Sequence, residues 1–138
     1  MSLKAFFAEN VERPEPIKRI ISNRFKDEQG NPIAWEFTPV GEKRSKQLRK
    51  EATKEVKIKK NVYKDQTDYE QYLLKLAVET ITYPDLHDKA LQDSYGVMGA
   101  ESLLQEMLIS GEYTQLIQII NEVNKFDSEP ELVNEAKN

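Results

Sequence analysis

Apolar residues recur every three or four positions through the second half of the chain, the spacing that places side chains on one face of an α-helix. The longest such stripe comprises Tyr69, Tyr72, Leu73, Leu76, Ala77 and Ile81. Thr67 and Glu70 have the spacing of a capping box at its start, and Pro84 follows it. The pattern predicts a helix over about 68–82.

Three shorter patterns follow in the second half. Residues 86–95 predict a short helix that Gly96 can end in the left-handed conformation. Apolar stripes over 100–108 and 113–123 predict two more helices, separated by a Ser-Gly pair. Residues 67–126 are therefore predicted to form a helical bundle.

The first half has a different period. Ser2 can cap a short helix over about 2–8, with Phe6 and Phe7 as its apolar anchors. Turn-forming residues over 27–32 separate two segments rich in β-branched and aromatic residues: Ile17, Ile20 and Ile21, then Ile33, Trp35 and Phe37. This predicts a β-hairpin over about 16–38. A lone hairpin is marginal in water, so its apolar face needs a helix or a third strand, for which 56–63 is the candidate.

The expected fold is α+β and mostly α-helical, with a small N-terminal β-hairpin, extended to three strands if 56–63 joins it, packed on a C-terminal helical bundle. Helix-forming Glu, Lys, Arg and Gln predict a basic helix over about 42–56. The elements are expected to form a single domain over 1–126. The acidic segment 127–138 is expected to be a flexible tail.

Composition narrows the class of protein. The chain has 138 residues, 38% of them hydrophobic and 32% charged, so a core is expected but a thin one. Cysteine is absent, which excludes disulfides and thiolate chemistry. No apolar run approaches the roughly 20 residues of a membrane span, and the first residues lack a signal-peptide pattern. A cytoplasmic protein without a membrane partner is predicted.

Charge is distributed unevenly along the chain. Residues 1–66 carry a net charge of +6 and residues 67–138 a net charge of -10. The halves could attract in a head-to-tail homo-oligomer, or the charges could be solvated faces of unrelated elements. The basic segment 43–64, which includes Tyr63, allows the hypothesis of a small nucleic-acid-binding regulator. The acidic overall charge disfavours nucleic-acid binding. A helix-turn-helix would use residues 99–108 as its recognition helix, and this segment contains no Lys or Arg to contact phosphates.

The sequence offers little catalytic chemistry. His87 is the single histidine, and with Asp85 and Asp88 it falls short of the three or four ligands of a metal site. The five glycines form no phosphate-binding loop. A carboxylate hydrolase would need an organised group around Asp85, Asp88 and Asp93, and no such group is evident. We predict no catalytic residue, no cofactor and no metal, and thus no enzyme.

A set of Met, Tyr and aliphatic residues lies around the glycines of the second half. Such residues are typical of adaptable partner-binding surfaces, but apolar stripes are more often core, and both interpretations stay open. The candidate partner-binding residues are Tyr95, Met98, Leu104, Met107, Leu108 and Tyr113.

Two segments resemble a known family. They are 24–36, which reads RFKDEQGNPIAWE, and 91–100, which reads LQDSYGVMGA. After the second come Leu103, Leu104, Met107, Leu108, Gly111, Glu112 and Tyr113 at matching spacing. Over about residues 3–126 the chain resembles the XkdN-like family of phage tail assembly chaperones, which are encoded in phages and defective prophages of Gram-positive bacteria.

The resemblance implies a non-enzymatic role in viral morphogenesis. Chaperones of this kind bind the tape-measure protein before the tail-tube protein polymerises around it, keep it soluble, and are absent from the mature virion. The implied partners are therefore the tape-measure protein and the tail-tube protein, in the cytoplasm of the bacterial host. The family supplies no catalytic residues to place on this sequence.

Overall fold

The computed structural model describes residues 2–126 of the chain. Within that range it contains five α-helices and five β-strands. In chain order the elements are β1 (Ile17–Arg19), β2 (Trp35–Phe37), α1 (Glu42–Glu51), β3 (Thr53–Lys59), β4 (Val62–Thr67), α2 (Tyr69–Thr80), β5 (Ile81–Tyr83), α3 (Lys89–Ser94), α4 (Ala100–Met107) and α5 (Ser110–Val123).

The strands form two separate antiparallel sheets. In the first, β2 lies between β1 and β5, with Ile17 opposite Phe37 and Arg19 opposite Trp35. On its other edge β2 pairs with β5, where Phe37 faces Ile81. The second sheet is the hairpin of β3 and β4, residues 53–67, called the β3–β4 hairpin below.

The predicted fold class is wrong. The strands are scattered through the chain, and they do not form an N-terminal hairpin packed on a C-terminal helical bundle. The third strand of the first sheet is β5, from the second half of the chain, whereas 56–63 belongs to the separate β3–β4 hairpin. The physical reason is that Trp35 and Phe37 are 2% and 0% exposed, a burial that two strands cannot provide alone.

Helix α1 is the basic helix expected over 42–56, and it ends at Glu51. Glu42 in its first turn and Lys50 in its last have the charges that the helix dipole favours at those ends. The chain then enters β3, whose base is closed by a hydrogen bond of 2.7 Å between the hydroxyls of Thr53 and Thr67.

Helix α2 confirms the longest apolar stripe, but its cap differs from the prediction. Asp68 is the N-cap, and its carboxylate accepts a hydrogen bond of 3.1 Å from the amide of Gln71. The predicted cap, Thr67, is the last residue of β4 and uses its hydroxyl in the pair with Thr53. The predicted capping box is therefore wrong by one residue.

The core is one cluster that joins the first sheet to the helices. Helix α2 packs against α1, α4 and α5 and leads directly into β5. Side chains with no measurable exposure include Phe37, Leu76, Leu103, Leu116 and Ile120. Gly96, with a φ of 68°, follows α3 in the left-handed conformation, as predicted.

The segment before β1 is exposed throughout, from residue 2 to residue 16, and is called the N-terminal arm below. The helix expected over 2–8 is a single 3₁₀ turn, Lys4–Phe6, and the hydroxyl of Ser2 accepts a hydrogen bond of 3.1 Å from the Lys4 amide. The expected anchors Phe6 and Phe7 are 79% and 48% exposed. The expected tail, 127–138, lies outside the described residues, and the division into one domain over 1–126 stays a prediction.

Candidate partner-binding surface

The six candidate partner-binding residues divide into a buried and an accessible group. Leu104, Met107 and Leu108 are 0%, 5% and 7% exposed and belong to the core cluster. Tyr95 and Met98 are 37% and 91% exposed. Tyr113 is half-buried, and burial raises the pKa of its phenol above the usual value. The structure does not bring the six together on one surface, and their role in partner binding stays a prediction.

Met98 owes its exposure to the turn between α3 and α4. The side-chain oxygen of Gln92 accepts a hydrogen bond of 3.0 Å from the Gly99 amide, and its side-chain nitrogen donates one of 2.9 Å to the Leu86 carbonyl. Gly99 has a φ of 98°, which residues with a side chain rarely adopt. The Val97 amide also donates a hydrogen bond of 3.1 Å to the Gln92 carbonyl, so the backbone is held on both sides of Met98 while its side chain lies in solvent.

A cleft of about 430 Å³ lies beside this turn, between α1, α2 and the start of α4. Met98 borders it. Apolar residues from each helix contribute to its lining: Leu48, Val78 and Ala100. Most of the other lining residues are charged or polar, and Leu48 and Ala100 are only 2% and 9% exposed. Met98 and the half-buried Val78 are therefore the main apolar groups that the cleft offers to a ligand.

Ion pairs span the walls of the cleft. Arg44 of α1 and Glu79 of α2 are 2.9 Å apart. Lys75 of α2 lies 3.2 Å from Glu101 of α4 and 3.8 Å from Glu51 of α1. These charged side chains of the cleft therefore already have partners of opposite sign.

A second feature lies at the turn between α4 and α5. The Nε of Arg24 donates a hydrogen bond of 3.1 Å to one carboxylate oxygen of Glu112. Its Nη2 donates to the other carboxylate oxygen and also donates a hydrogen bond of 3.0 Å to the Met107 carbonyl. Glu112 also accepts from the Ile109 amide at 3.0 Å. These hydrogen bonds, that from Arg24 above all, lower the pKa of Glu112 to about 2.

This contact fixes the segment after β1 to the helices that carry the buried candidate residues. We assigned no role to Arg24 or Glu112 from the sequence, although both are among the residues that carry the family resemblance. Of the two residues, only Glu112 has a local signal in the sequence. It is the third residue after Ile109, the N-cap of α5, and a carboxylate at this position can accept a hydrogen bond from the N-cap amide. The partner, 88 residues earlier in the chain, has no local signal.

His87 is exposed and lies at the border of the cleft. The Asp85 carboxylate accepts a hydrogen bond of 3.0 Å from the backbone amide of His87, so this aspartate stabilises the turn before α3. Among residues 2–126 no group of three His, Asp or Glu side chains is arranged to hold a metal ion.

The basic segment 43–64 is divided between α1 and the β3–β4 hairpin. Arg44 and Arg49 of α1 pair with Glu79 and Glu42, at 2.9 Å and 2.8 Å. These pairs remove much of the positive charge that nucleic acid would need from α1. The hairpin keeps exposed lysines.

In the part of the chain that the structure describes, no helix has the length and apolarity of a membrane span. A family model described as the phage XkdN-like tail assembly chaperone protein matches residues 3–137. This chain belongs to the XkdN-like family of phage tail assembly chaperones. The resemblance stated from the sequence is thereby confirmed.

Two relatives of this chain come from Bacillus subtilis (strain 168). The phage-like element PBSX protein XkdN is 32% identical over 126 residues, which are 90% of this chain and 85% of that protein. The uncharacterized protein YqbN is 31% identical over 130 residues, 94% of this chain and 83% of that protein. The crystal structure of YqbN superposes with a TM-score of 0.81 at 26% identity, covering 92% of this chain and 98% of the YqbN chain.

The XkdN-like family acts in phage tail assembly, which is a structural role. The partners implied for this chain are accordingly phage tail proteins. The cleft beside Met98 and the contact between Arg24 and Glu112 both lie inside the matched range.

Proposed function

We propose that this chain binds the tape-measure protein noncovalently, keeps it soluble and helps to recruit the tail-tube protein during tail morphogenesis. It acts in the cytoplasm of the bacterial host and is absent from the mature virion. Membership of the XkdN-like family supports the class of function. The structural observation that carries client binding is Met98, 91% exposed on a hydrogen-bonded turn at the border of the cleft between α1, α2 and α4.

The physical argument concerns what such a client needs. A long amphipathic helix exposes an apolar stripe that leads to aggregation until another surface covers it. Met98 can contribute a flexible and polarizable side chain to that contact, and the half-buried Val78 lies in the same cleft. The net charge of -4 helps to keep the resulting complex in solution.

The test is co-expression of the tape-measure protein from the same genome with and without this chain. We expect a larger soluble fraction of the tape-measure protein and its co-purification with the chain. Met98→Glu is expected to reduce both, because a carboxylate in place of the exposed thioether opposes burial against the apolar face of a client helix. An unchanged soluble fraction, with no complex recovered, would contradict the proposal.

Tyr69→Glu is the matched control. Tyr69 is 67% exposed and is the first residue of α2, outside the lining of the cleft. A carboxylate is favourable at a helix N-terminus, so the variant should fold. It should keep the client soluble as well as the unaltered chain does. An equal loss in both variants would argue against a role specific to Met98.

A further inference from the structure

Two exposed segments carry many of the large apolar side chains that the core leaves in solvent. One is the N-terminal arm, and the other is the β3–β4 hairpin. Together they contribute seven exposed residues: Leu3, Phe6, Phe7, Val11, Ile58, Val62 and Tyr63. Exposed apolar residues scattered singly need no explanation, but clusters of them indicate an interface.

The N-terminal arm is folded locally although all of its residues are exposed. The Phe6 amide donates a hydrogen bond of 3.0 Å to the Leu3 carbonyl, and the Val11 amide donates one of 3.0 Å to the Phe7 carbonyl. The side chain of Asn10 donates a third, of 2.8 Å, to the Lys4 carbonyl. These turns hold two phenylalanines in solvent on an ordered backbone, which lowers the entropy lost when a partner covers them.

The β3–β4 hairpin has no fully buried residue. It is anchored at its base, where Thr53 and Thr67 pair, and the chain turns back at Asn61, whose φ is 61°. Near that turn, Ile58 and Tyr63 are 56% and 54% exposed. Two-stranded hairpins are marginal in water, so a contact that covers this end would stabilise it.

The two segments are opposite in charge. The hairpin has five lysines and two acids, a net charge of +3, and none of its lysines forms an ion pair among the described residues. The arm contains Glu9, Glu12 and Glu15 against Lys4 and Arg13, a net charge of -1. The carboxylates follow the phenylalanines, so an apolar contact at the hairpin tip would bring them near the lysines.

We propose that the N-terminal arm of one copy docks on the β3–β4 hairpin of a second copy. Val62 and Tyr63 are consecutive in β4 and lie on opposite faces of the hairpin, and Ile58 lies at the irregularity opposite them, so Phe6 and Phe7 pack around the hairpin tip. The glutamates of the arm pair with the lysines of the hairpin. Each copy offers one arm and one hairpin, so the contact is head-to-tail and can be repeated from copy to copy. It uses neither Met98 nor the cleft, and it is therefore independent of client binding.

The test measures the solution mass of the full chain by light scattering as concentration rises. The arm variant is Phe6→Asp with Phe7→Asp, and the hairpin variant is Ile58→Asp with Tyr63→Asp. Because all four side chains are exposed, both variants should fold and give the circular dichroism spectrum of the unaltered chain at concentrations below assembly. We expect the unaltered chain to exceed 16.0 kDa and each variant to remain at that mass.

Mixing the two variants distinguishes this contact from others. The arm variant retains an intact hairpin and the hairpin variant an intact arm, so one head-to-tail contact can form and then cannot propagate. The mixture should contain a species of about 32 kDa, twice the 16.0 kDa of one chain, and no larger one. Met98→Glu serves as the control and should assemble like the unaltered chain while losing the client.

Several results would overturn the proposal. They are an unaltered chain that stays monomeric at every concentration, variants that assemble normally, and a mixture that forms no pair. A hairpin that instead retains a labelled single-stranded oligonucleotide, with no self-association, would assign its lysines to nucleic acid. Raising the salt from about 0.1 M to about 1 M, which shortens the screening length from about 10 Å to about 3 Å, should weaken the assembly, and an unchanged mass would contradict the ionic part.

Discussion

Met107 and Met98 allow the core and the exposed surface to be probed with the same substitution. Met107 is 5% exposed and Met98 is 91% exposed, so each is changed to alanine and the free energy of unfolding is compared. Met107→Ala removes buried side-chain atoms, and truncation of a buried aliphatic residue to alanine costs about 2–5 kcal/mol. Met98→Ala removes contacts with solvent alone and should change stability by less than about 0.5 kcal/mol.

The loss in free energy of unfolding for Met107→Ala should lie toward the lower end of that range because of what surrounds the residue. Met107 borders an apolar recess of about 110 Å³ that Phe25, Trp35 and Leu91 also line. Truncation would enlarge this open recess instead of creating a closed void, so the additional cavity cost should be small. We expect about 2–3 kcal/mol, equivalent to a decrease of roughly 10 °C in Tm for a domain of this size.

Urea unfolding followed by circular dichroism provides the assay, with calorimetry for Tm. The reasoning would be refuted if Met107→Ala were neutral, or if Met98→Ala were as destabilising as Met107→Ala. A stronger change, Met107→Glu, should unfold the chain, because an unpaired charge in this core costs several kcal/mol, comparable with the whole stability of a typical domain.

Three further predictions concern single contacts. Glu112→Gln should lower Tm at pH 7, because the pKa of Glu112 is about 2 in the folded chain and 4.5 normally, so the stabilisation by its carboxylate is complete above about pH 4.5. The difference in Tm from the unaltered chain should disappear as the pH falls toward 2, and a difference that grew there would contradict the assignment. Asp68→Ala should cost about 1 kcal/mol in urea unfolding through loss of the α2 cap, and matched Thr67→Ala should leave the helix start intact in amide exchange. Asn124→Ala should cost about 1–3 kcal/mol by the same urea assay, because its side chain accepts a 2.7 Å hydrogen bond from the amide of Val40, and a neutral result would show that water replaces it.

The helices could be read from the sequence because their signal is local. The stripes of α2, α4 and α5 repeat every three to four residues, and Gly96 has the left-handed conformation that a helix end favours. The first sheet could not be assembled in the same way. Ile81 fits the last position of the α2 stripe as well as it fits a strand, and β5 has three residues, too few for an alternating pattern.

The α2 cap and the exposure of the candidate residues could not be predicted from the sequence because they depend on contacts between distant residues. Thr67 and Asp68 are both good caps, and the choice between them follows from Thr53, 14 residues earlier, which occupies the Thr67 hydroxyl. The candidate surface shows the same limit, because Met98 and Met107 have the same side chain. From the sequence both interpretations stayed open for the two residues, and the structure separates them: Met98 lies in a glycine-flanked turn outside any stripe, whereas Met107 continues the α4 stripe that faces the core.

The position of β2 between β1 and β5 has a consequence for the nascent chain. When the ribosome has made β1 and β2, one edge of β2 still lacks its neighbour, which is encoded more than forty residues later. Through the synthesis of α1, the β3–β4 hairpin and α2, Trp35 and Phe37 therefore remain incompletely covered. Because α2 continues directly into β5, the docking of that helix delivers the missing strand, so the first sheet should close in one late step of cotranslational folding.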